Sequence, residues 1–163
     1  MTKWIALVAL TLALPASALA QKKNTLTPAD YEEIRGLYAK YSYGFDNGDA
    51  KLVASVYTPD AQFIVGGKTV GGTRDAITAG VRPVAPGKAQ MKHMPSNIAI
   101  EPSEEGATGM AYVALVTFEA GKPPAVTGGG WYHDTLVRTA EGWRFKKRDY
   151  QPFPLPVPAA PAP

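Results

Sequence analysis

The spacing of apolar residues changes character once along this chain, from three- and four-residue steps to alternation. Tyr31, Ile34, Leu37, Tyr38, Tyr41 and Phe45 recur at helical steps and form one stripe of a helix of about five turns. Thr27-Pro28-Ala29-Asp30 is its start signal. The Thr accepts free backbone N–H groups, Pro costs nothing in the first turn, and an acid follows three residues after the cap. Asn47-Gly48 ends the stripe. Asp49 caps a second short helix with Leu52, Val53, Val56 and Tyr57, which Pro59 stops, and Thr73 caps a third over residues 74–80. Residues 61–65 and 68–70 read as a hairpin around Gly66-Gly67. Beyond a loop with Pro83, Pro86 and Gly87, four long strands are predicted, at about residues 89–101, 107–120, 127–139 and 142–151. Helices first and antiparallel strands after them make an α+β pattern in one domain.

Both ends separate from that domain. Lys3, the apolar run 4–14, Pro15 and Ala18-Leu19-Ala20 have the order of a secretory signal cleaved after residue 20. The run is shorter than the roughly 20 apolar residues that span a bilayer. The expectation is a signal over 1–20, a domain over 21–151 and a tail over 152–163, in a protein that is periplasmic or secreted and free of the membrane after cleavage. The tail holds six prolines in twelve residues and favours extended polyproline II. It is either a loose end or a strap whose Phe153 and Leu155 cover an apolar groove or a neighbouring subunit.

Composition then removes whole classes of chemistry. The absence of cysteine excludes disulfides, thiolate zinc sites, iron–sulfur ligation and Cys nucleophiles, and two histidines leave little for any metal site. The 17 basic residues against 14 acidic ones include no basic run interleaved with aromatics, so nucleic acid is not an expected partner. Gly128-Gly129-Gly130 is followed by a strand pattern, which suits a bulge or a close backbone approach and not a phosphate loop. No cofactor is expected.

Candidate chemistry lies in a few places. Asp46 borders the aromatic stripe, where a partly desolvated carboxylate suits proton transfer or the orienting of a histidine; the plain alternative is a solvated helix end. His93 and Asn97 are four apart on one strand and share a face with Met91 and Pro95, while Lys92, Met94, Ser96, Ile98 and Ile100 share the other. Either face can be the inner one on the residues alone. Trp131, His133 and Thr135 alternate with Tyr132, Asp134 and Leu136, and the pattern does not say which set turns inward. Tyr31 belongs to the core, and Tyr41 and Tyr57 to a pocket wall that suits phenolic ligands. Arg148 and Asp149 point opposite ways, and one of them pairs structurally with Asp134 or Arg138.

The helix–helix–hairpin–helix–meander order resembles the nuclear-transport-factor-2-like superfamily, in its SnoaL-like branch. The resemblance is carried by Tyr41-Ser42-Tyr43-Gly44-Phe45-Asp46-Asn47-Gly48-Asp49, Tyr57-Thr58-Pro59-Asp60-Ala61, His93-Met94-Pro95-Ser96-Asn97 and Gly142-Trp143-Arg144-Phe145. It implies an α+β cone, a strongly curved mixed or antiparallel sheet around the N-terminal helices, with one deep apolar pocket. Members include dehydratases, isomerases, cyclases and epoxide hydrolases, so the fold does not choose the reaction. In scytalone-dehydratase-like members an acid at the position of Asp46 and a histidine at that of His93 meet inside the cone. Two departures stand out: a second pocket histidine of scytalone dehydratase aligns with Tyr112, and its tyrosine before the acid is Phe45. The ketosteroid-isomerase base would fall near Val65.

The resulting expectation is a cofactor-independent exported lyase or isomerase. It would act on a small hydroxylated aromatic or polyketide-like compound by losing water or formaldehyde. Asp46 and His93 would be catalytic, with Tyr41, Tyr57, Asn97, Tyr112, Trp131 and His133 contacting the substrate. The alternative is a non-catalytic periplasmic binder of a small apolar ligand in the same pocket. The resemblance also implies a homodimer or homotrimer through the outer sheet face.

Overall fold

Thr27 and Asp30 close a reciprocal cap at the start of the first helix. The Asp30 N–H donates to the Thr27 hydroxyl oxygen at 3.3 Å, and the Asp30 carboxylate accepts the Thr27 N–H at 2.8 Å. From that cap α1 runs over Pro28–Asn47 and stops at Gly48, whose left-handed φ of 70° only glycine adopts freely. The computed structural model describes residues 25–154, so the signal and the tail beyond Pro154 lie outside the described residues. After α1 come α2 (Ala50–Ala54), β1 (Tyr57–Val65), β2 (Lys68–Gly71) and α3 (Arg74–Thr78). The chain ends in β3 (Gln90–Pro102), β4 (Ala107–Phe118), β5 (Ala125–Thr139) and β6 (Gly142–Pro152).

The sheet order is β2-β1-β6-β5-β4-β3, antiparallel throughout except for the parallel β1–β6 pair. The α+β class and the meander agree with the sequence pattern. One boundary does not: β1 begins at Tyr57, taking in Pro59. The β1–β6 register skips between Tyr57 and Gln62, so the proline removes no ladder bond there.

The helical stripe explains the core. Ile34, Leu37, Tyr38 and Tyr41 are buried against Ala107, Ala111 and Val113 of β4, Tyr132 and Leu136 of β5 and Phe145 of β6. Burial alternates along β4, the signature of a sheet with one face in the core and one in water. No helix among the described residues is long and apolar enough to cross a membrane.

A charge pair sits in the middle of this core. Arg148 of β6 stands opposite Asp134 of β5 and donates to it through Nε at 2.9 Å and Nη2 at 2.8 Å. Both side chains are fully buried. The guanidinium carbon lies 4.0 Å from the ring centre of Tyr132, 4.1 Å from Phe145, 4.2 Å from Tyr41 and 5.0 Å from Tyr38. Burial works against the charge of Arg148, and Asp134 beside it more than offsets that, holding the group protonated. The cone is filled at this level by an arginine wrapped in aromatic rings.

Candidate active site

Asp46 is in the last turn of α1, seven residues after Ala39 and four after Ser42, on the flank of the buried stripe. That position brings it against β3. Its carboxylate accepts the backbone N–H of His93 at 3.0 and 3.2 Å, and lies 2.6 Å from the ring nitrogen Nδ1. A carboxylate only accepts, so Nδ1 carries the proton and Nε2 is the ring nitrogen left for a ligand. The two side chains are 7 % and 12 % exposed, sheltered but reachable. The rings of Tyr41 and Phe45 stand 5.8 and 6.1 Å from the imidazole and hold it from the α1 side. Lys92 donates to the Asp46 carbonyl oxygen at 2.8 Å, satisfying the helix end and bringing a cation beside the pair.

Two clefts meet at this pair. One, of about 360 Å³, lies between Phe45 and the 80–91 segment and is lined by Arg82, Val84, Lys88, Gln90 and Met91. The other, of about 490 Å³, lies between α1 and the edge strand and is lined by Ser42, Tyr43, Asn47, Lys92, Met94 and Pro95. Asp46 and His93 line both. Sequence reasoning passed over Ser42, Tyr43, Arg82 and Gln90. For Ser42 and Tyr43 a signal was present, since they stand four and three residues before Asp46 on the same helix.

The choice of inward face on β3 has an unexpected resolution. The β3–β4 register shifts between Ser96 and Ala99, and Asn97 takes a positive φ of 52°. This bulge moves the inward face from odd to even residues: His93 and Pro95 point in before it, Ile98 and Ile100 after it. Asn97 itself is exposed in the bulge and does not share a wall with His93, which corrects its assignment as a ligand contact.

Four other candidates need correction. Tyr112, Trp131 and His133 are on the outer face of the sheet. Alternation puts Ala111 and Val113 inside β4, and Tyr132 and Asp134 inside β5, so their neighbours face out. Tyr112 is 44 % exposed and packs on Trp131, while His133 lines a separate outer depression with Glu101, Met110 and Lys147. Tyr57 is 2 % exposed and belongs to the core around Arg148, lining neither cleft. Tyr41 is equally buried and touches the site only through the His93 ring. Burial pushes the hydroxyls of Tyr41, Tyr57 and Tyr132 up in pKa, so they stay neutral. The deep apolar pocket expected from the resemblance is therefore occupied by the protein's own side chains, and the open volume lies at the level of His93.

Among the described residues no group of three or more His, Asp or Glu side chains stands close enough to hold a metal ion. The arrangement can move a proton: an imidazole fixed in tautomer and direction by a carboxylate, between two mixed apolar and cationic clefts.

A family model described as a SnoaL-like domain matches residues 27–149. Among solved structures, the chain is similar to Aln2 from a Streptomyces species, at 26 % identity and a TM-score of 0.69, over 79 % of this chain and 94 % of that one. It is also similar to ActVI-ORFA from Streptomyces coelicolor, at 26 % identity and a TM-score of 0.67, over 75 % and 96 %. An NTF2-like protein with a cystatin-like fold from Novosphingobium aromaticivorans shares the fold at 24 % identity and a TM-score of 0.67, over 82 % and 85 %. No curated protein matches the chain.

Proposed function

The chain belongs to the SnoaL-like domain family, and we propose that it is an exported, cofactor-independent lyase or isomerase for a small hydroxylated aromatic or polyketide-like compound. The observation that carries this reading is the 2.6 Å contact between the Asp46 carboxylate and Nδ1 of His93, which leaves Nε2 as the free ring nitrogen of a histidine that lines two clefts of about 360 and 490 Å³.

In the elimination, Nε2 of neutral His93 takes a proton from the carbon next to a carbonyl or a phenol-conjugated position. The electron pair of that C–H bond forms the new double bond as the C–O bond to the leaving hydroxyl breaks. The imidazolium returns its proton to the departing oxygen, and water leaves. Loss of formaldehyde uses the same base on a hydroxymethyl O–H: the O–H pair forms the C=O of formaldehyde as the C–C bond breaks, the pair of that bond is taken up by the adjacent carbonyl or conjugated ring, and the imidazolium returns its proton to that carbon. Asp46 stabilises the imidazolium and holds the ring throughout. Phe45, Val84, Met91 and Met94 supply the apolar surface for an aromatic ring.

The test is an ultraviolet time course with purified protein, no added cofactor or metal, and a panel of hydroxylated aryl propanes and polyketide-like phenols. A conjugated product formed by the unaltered protein and not by His93→Ala supports the proposal. Saturable binding of panel members without turnover would instead assign the ligand-binding role.

A further inference from the structure

Arg82 differs from every other arginine among the described residues. Arg35, Arg74, Arg138, Arg144 and Arg148 each pair with a carboxylate, and Arg82 does not. Its Nη1 donates to the Ala79 carbonyl oxygen at the end of α3, at 2.6 Å. That bond steadies the guanidinium and leaves the edge formed by Nε and Nη2, the same edge by which Arg148 holds Asp134. The backbone beneath it is seated on the end of α1. A Cβ on Gly48 would stand 2.8 Å from the Arg82 carbonyl oxygen and 2.9 Å from the Pro83 Cα. Gly48 is two residues past Asp46, so one helix end places both the carboxylate that orients His93 and the segment that carries Arg82.

The charge around His93 is one-sided. Arg82 and Lys88 line the 360 Å³ cleft with Asp46 and His93, and Lys92 lines the 490 Å³ cleft. Asp46 is the one carboxylate lining either cleft, and both of its oxygens are already bonded to His93. Among the described residues, neither Lys88 nor Lys92 has a carboxylate partner; Lys92 meets only the Asp46 carbonyl oxygen and the Asn47 amide oxygen. A cleft lined by cations with no counter-charge of its own favours an anionic ligand.

We propose that the molecule bound at His93 carries a carboxylate, which Arg82 holds through Nε and Nη2 with Lys88 beside it. The aromatic ring then lies on Phe45 and Met91, in the same cleft. The inference rests on the reading of the Asp46–His93 site given above and narrows its substrate class to hydroxylated aromatic acids. Two parallel N–H groups on a planar fork match the two oxygens of a carboxylate, so Arg82 is a specificity-determining residue. It has no part in the proton transfer.

The test separates binding from turnover. The probes are 4-hydroxycinnamate and its methyl ester, alike in ring and chain and different in charge. Neither has a hydroxyl to eliminate. Calorimetric titration at low ionic strength is run on the unaltered full chain, Arg82→Gln, Arg82→Gln/Lys88→Gln and the control Lys68→Gln, an exposed lysine on β2 that lines neither cleft. The acid should bind about tenfold tighter than the ester, since a hydrogen bond to a charged group contributes about 1.5 kcal/mol or more. Arg82→Gln should remove most of that preference by weakening the acid alone, the double variant should abolish it, and Lys68→Gln should preserve it. Equal affinities for acid and ester, a preference that survives the double variant, or no saturable binding of the acid overturns the inference. An acid preference in a protein that turns over no hydroxylated aryl compound would leave this inference standing and remove the lyase reading. Turnover of neutral compounds without an acid preference would do the reverse.

Discussion

The Asp46 carboxylate accepts both the backbone N–H and the ring Nδ1–H of His93, so one side chain on α1 fixes the strand and the imidazole on it together. Its removal should therefore have two separable effects. Asp46→Asn lowers kcat by about 10²–10⁴-fold with KM little changed, because an amide no longer stabilises the imidazolium. Asp46→Ala also leaves the His93 N–H without its acceptor and costs about 1–3 kcal/mol of stability. Steady-state rates and thermal melts on the two variants separate these effects. Added imidazole should restore part of the lost rate in His93→Ala and none in Asp46→Ala, where the ring is still present.

Arg148 and Asp134 are both fully buried, which makes their energetics asymmetric. Arg148→Met leaves a buried carboxylate without its cation and should cost about 3–5 kcal/mol. The double variant Arg148→Met/Asp134→Leu should recover most of that loss, since a well-packed apolar pair often matches a buried ion pair. Urea unfolding of the two singles and the double gives the coupling directly. A double variant as unstable as the two singles summed would contradict this account.

The α1 stripe, the caps and the four-strand meander were legible because each is local: Thr27 and Asp30 are three residues apart, and β4 alternates cleanly. Asp46 and His93 were found as a pair only through the resemblance, because 47 positions of sequence separate them and no local pattern connects a helix end to an edge strand. Tyr112 was placed only by its alignment with a pocket histidine of scytalone dehydratase, against the clean alternation of β4, while Asn97, Trp131 and His133 were misplaced for two physical reasons. A bulge has no strong sequence mark when the residue with positive φ is an asparagine, and it inverts the alternation on which His93 and Asn97 were paired. On β5 both faces are mixed, because an ion pair occupies the inner one and aromatic residues the outer one, so polarity could not orient the strand. Tyr57 was misplaced because a tyrosine around a buried arginine looks in sequence like a tyrosine lining a pocket.

Asp30 predicts the behaviour of the fold in acid. Its carboxylate accepts the Trp143 indole N–H at 2.9 Å, the Thr27 N–H and hydroxyl at 2.8 Å each, and a hydrogen bond from Arg138. The Trp143 bond first, and the Thr27 bonds after it, hold the group below the usual aspartate range. A carboxyl lowered in the folded state contributes stability that is fully present above the unfolded aspartate value of about 4 and is lost as pH falls toward the folded one. Melting temperature should thus fall between about pH 4 and pH 2 in the unaltered protein, and Asp30→Asn should flatten that limb while lowering the plateau. Trp143 fluorescence follows the same transition from inside the cap.

The glycine run gives a sharper test, because its three members differ in what surrounds them. A Cβ on Gly128 would meet only the flexible Leu115 side chain, at 3.3 Å. One on Gly130 would overlap the Gln151 carbonyl oxygen and stand 2.6 Å from the Tyr150 ring and 2.9 Å from the Pro152 Cα. Backbone cannot give way as a leucine can, so Gly130→Ala has to push the end of β6 off β5. Overpacking of this kind costs about 1–3 kcal/mol. Gly128→Ala should be neutral, or gain up to about 1 kcal/mol from lost backbone freedom in the unfolded chain. Because β6 leads directly into Phe153, whose ring centre is 4.4 Å from that of Trp131, Gly130→Ala should also loosen the Phe153–Trp131 contact, which Trp131 fluorescence reports. Equal stability of the two variants would mean that the glycines are not there for close approach.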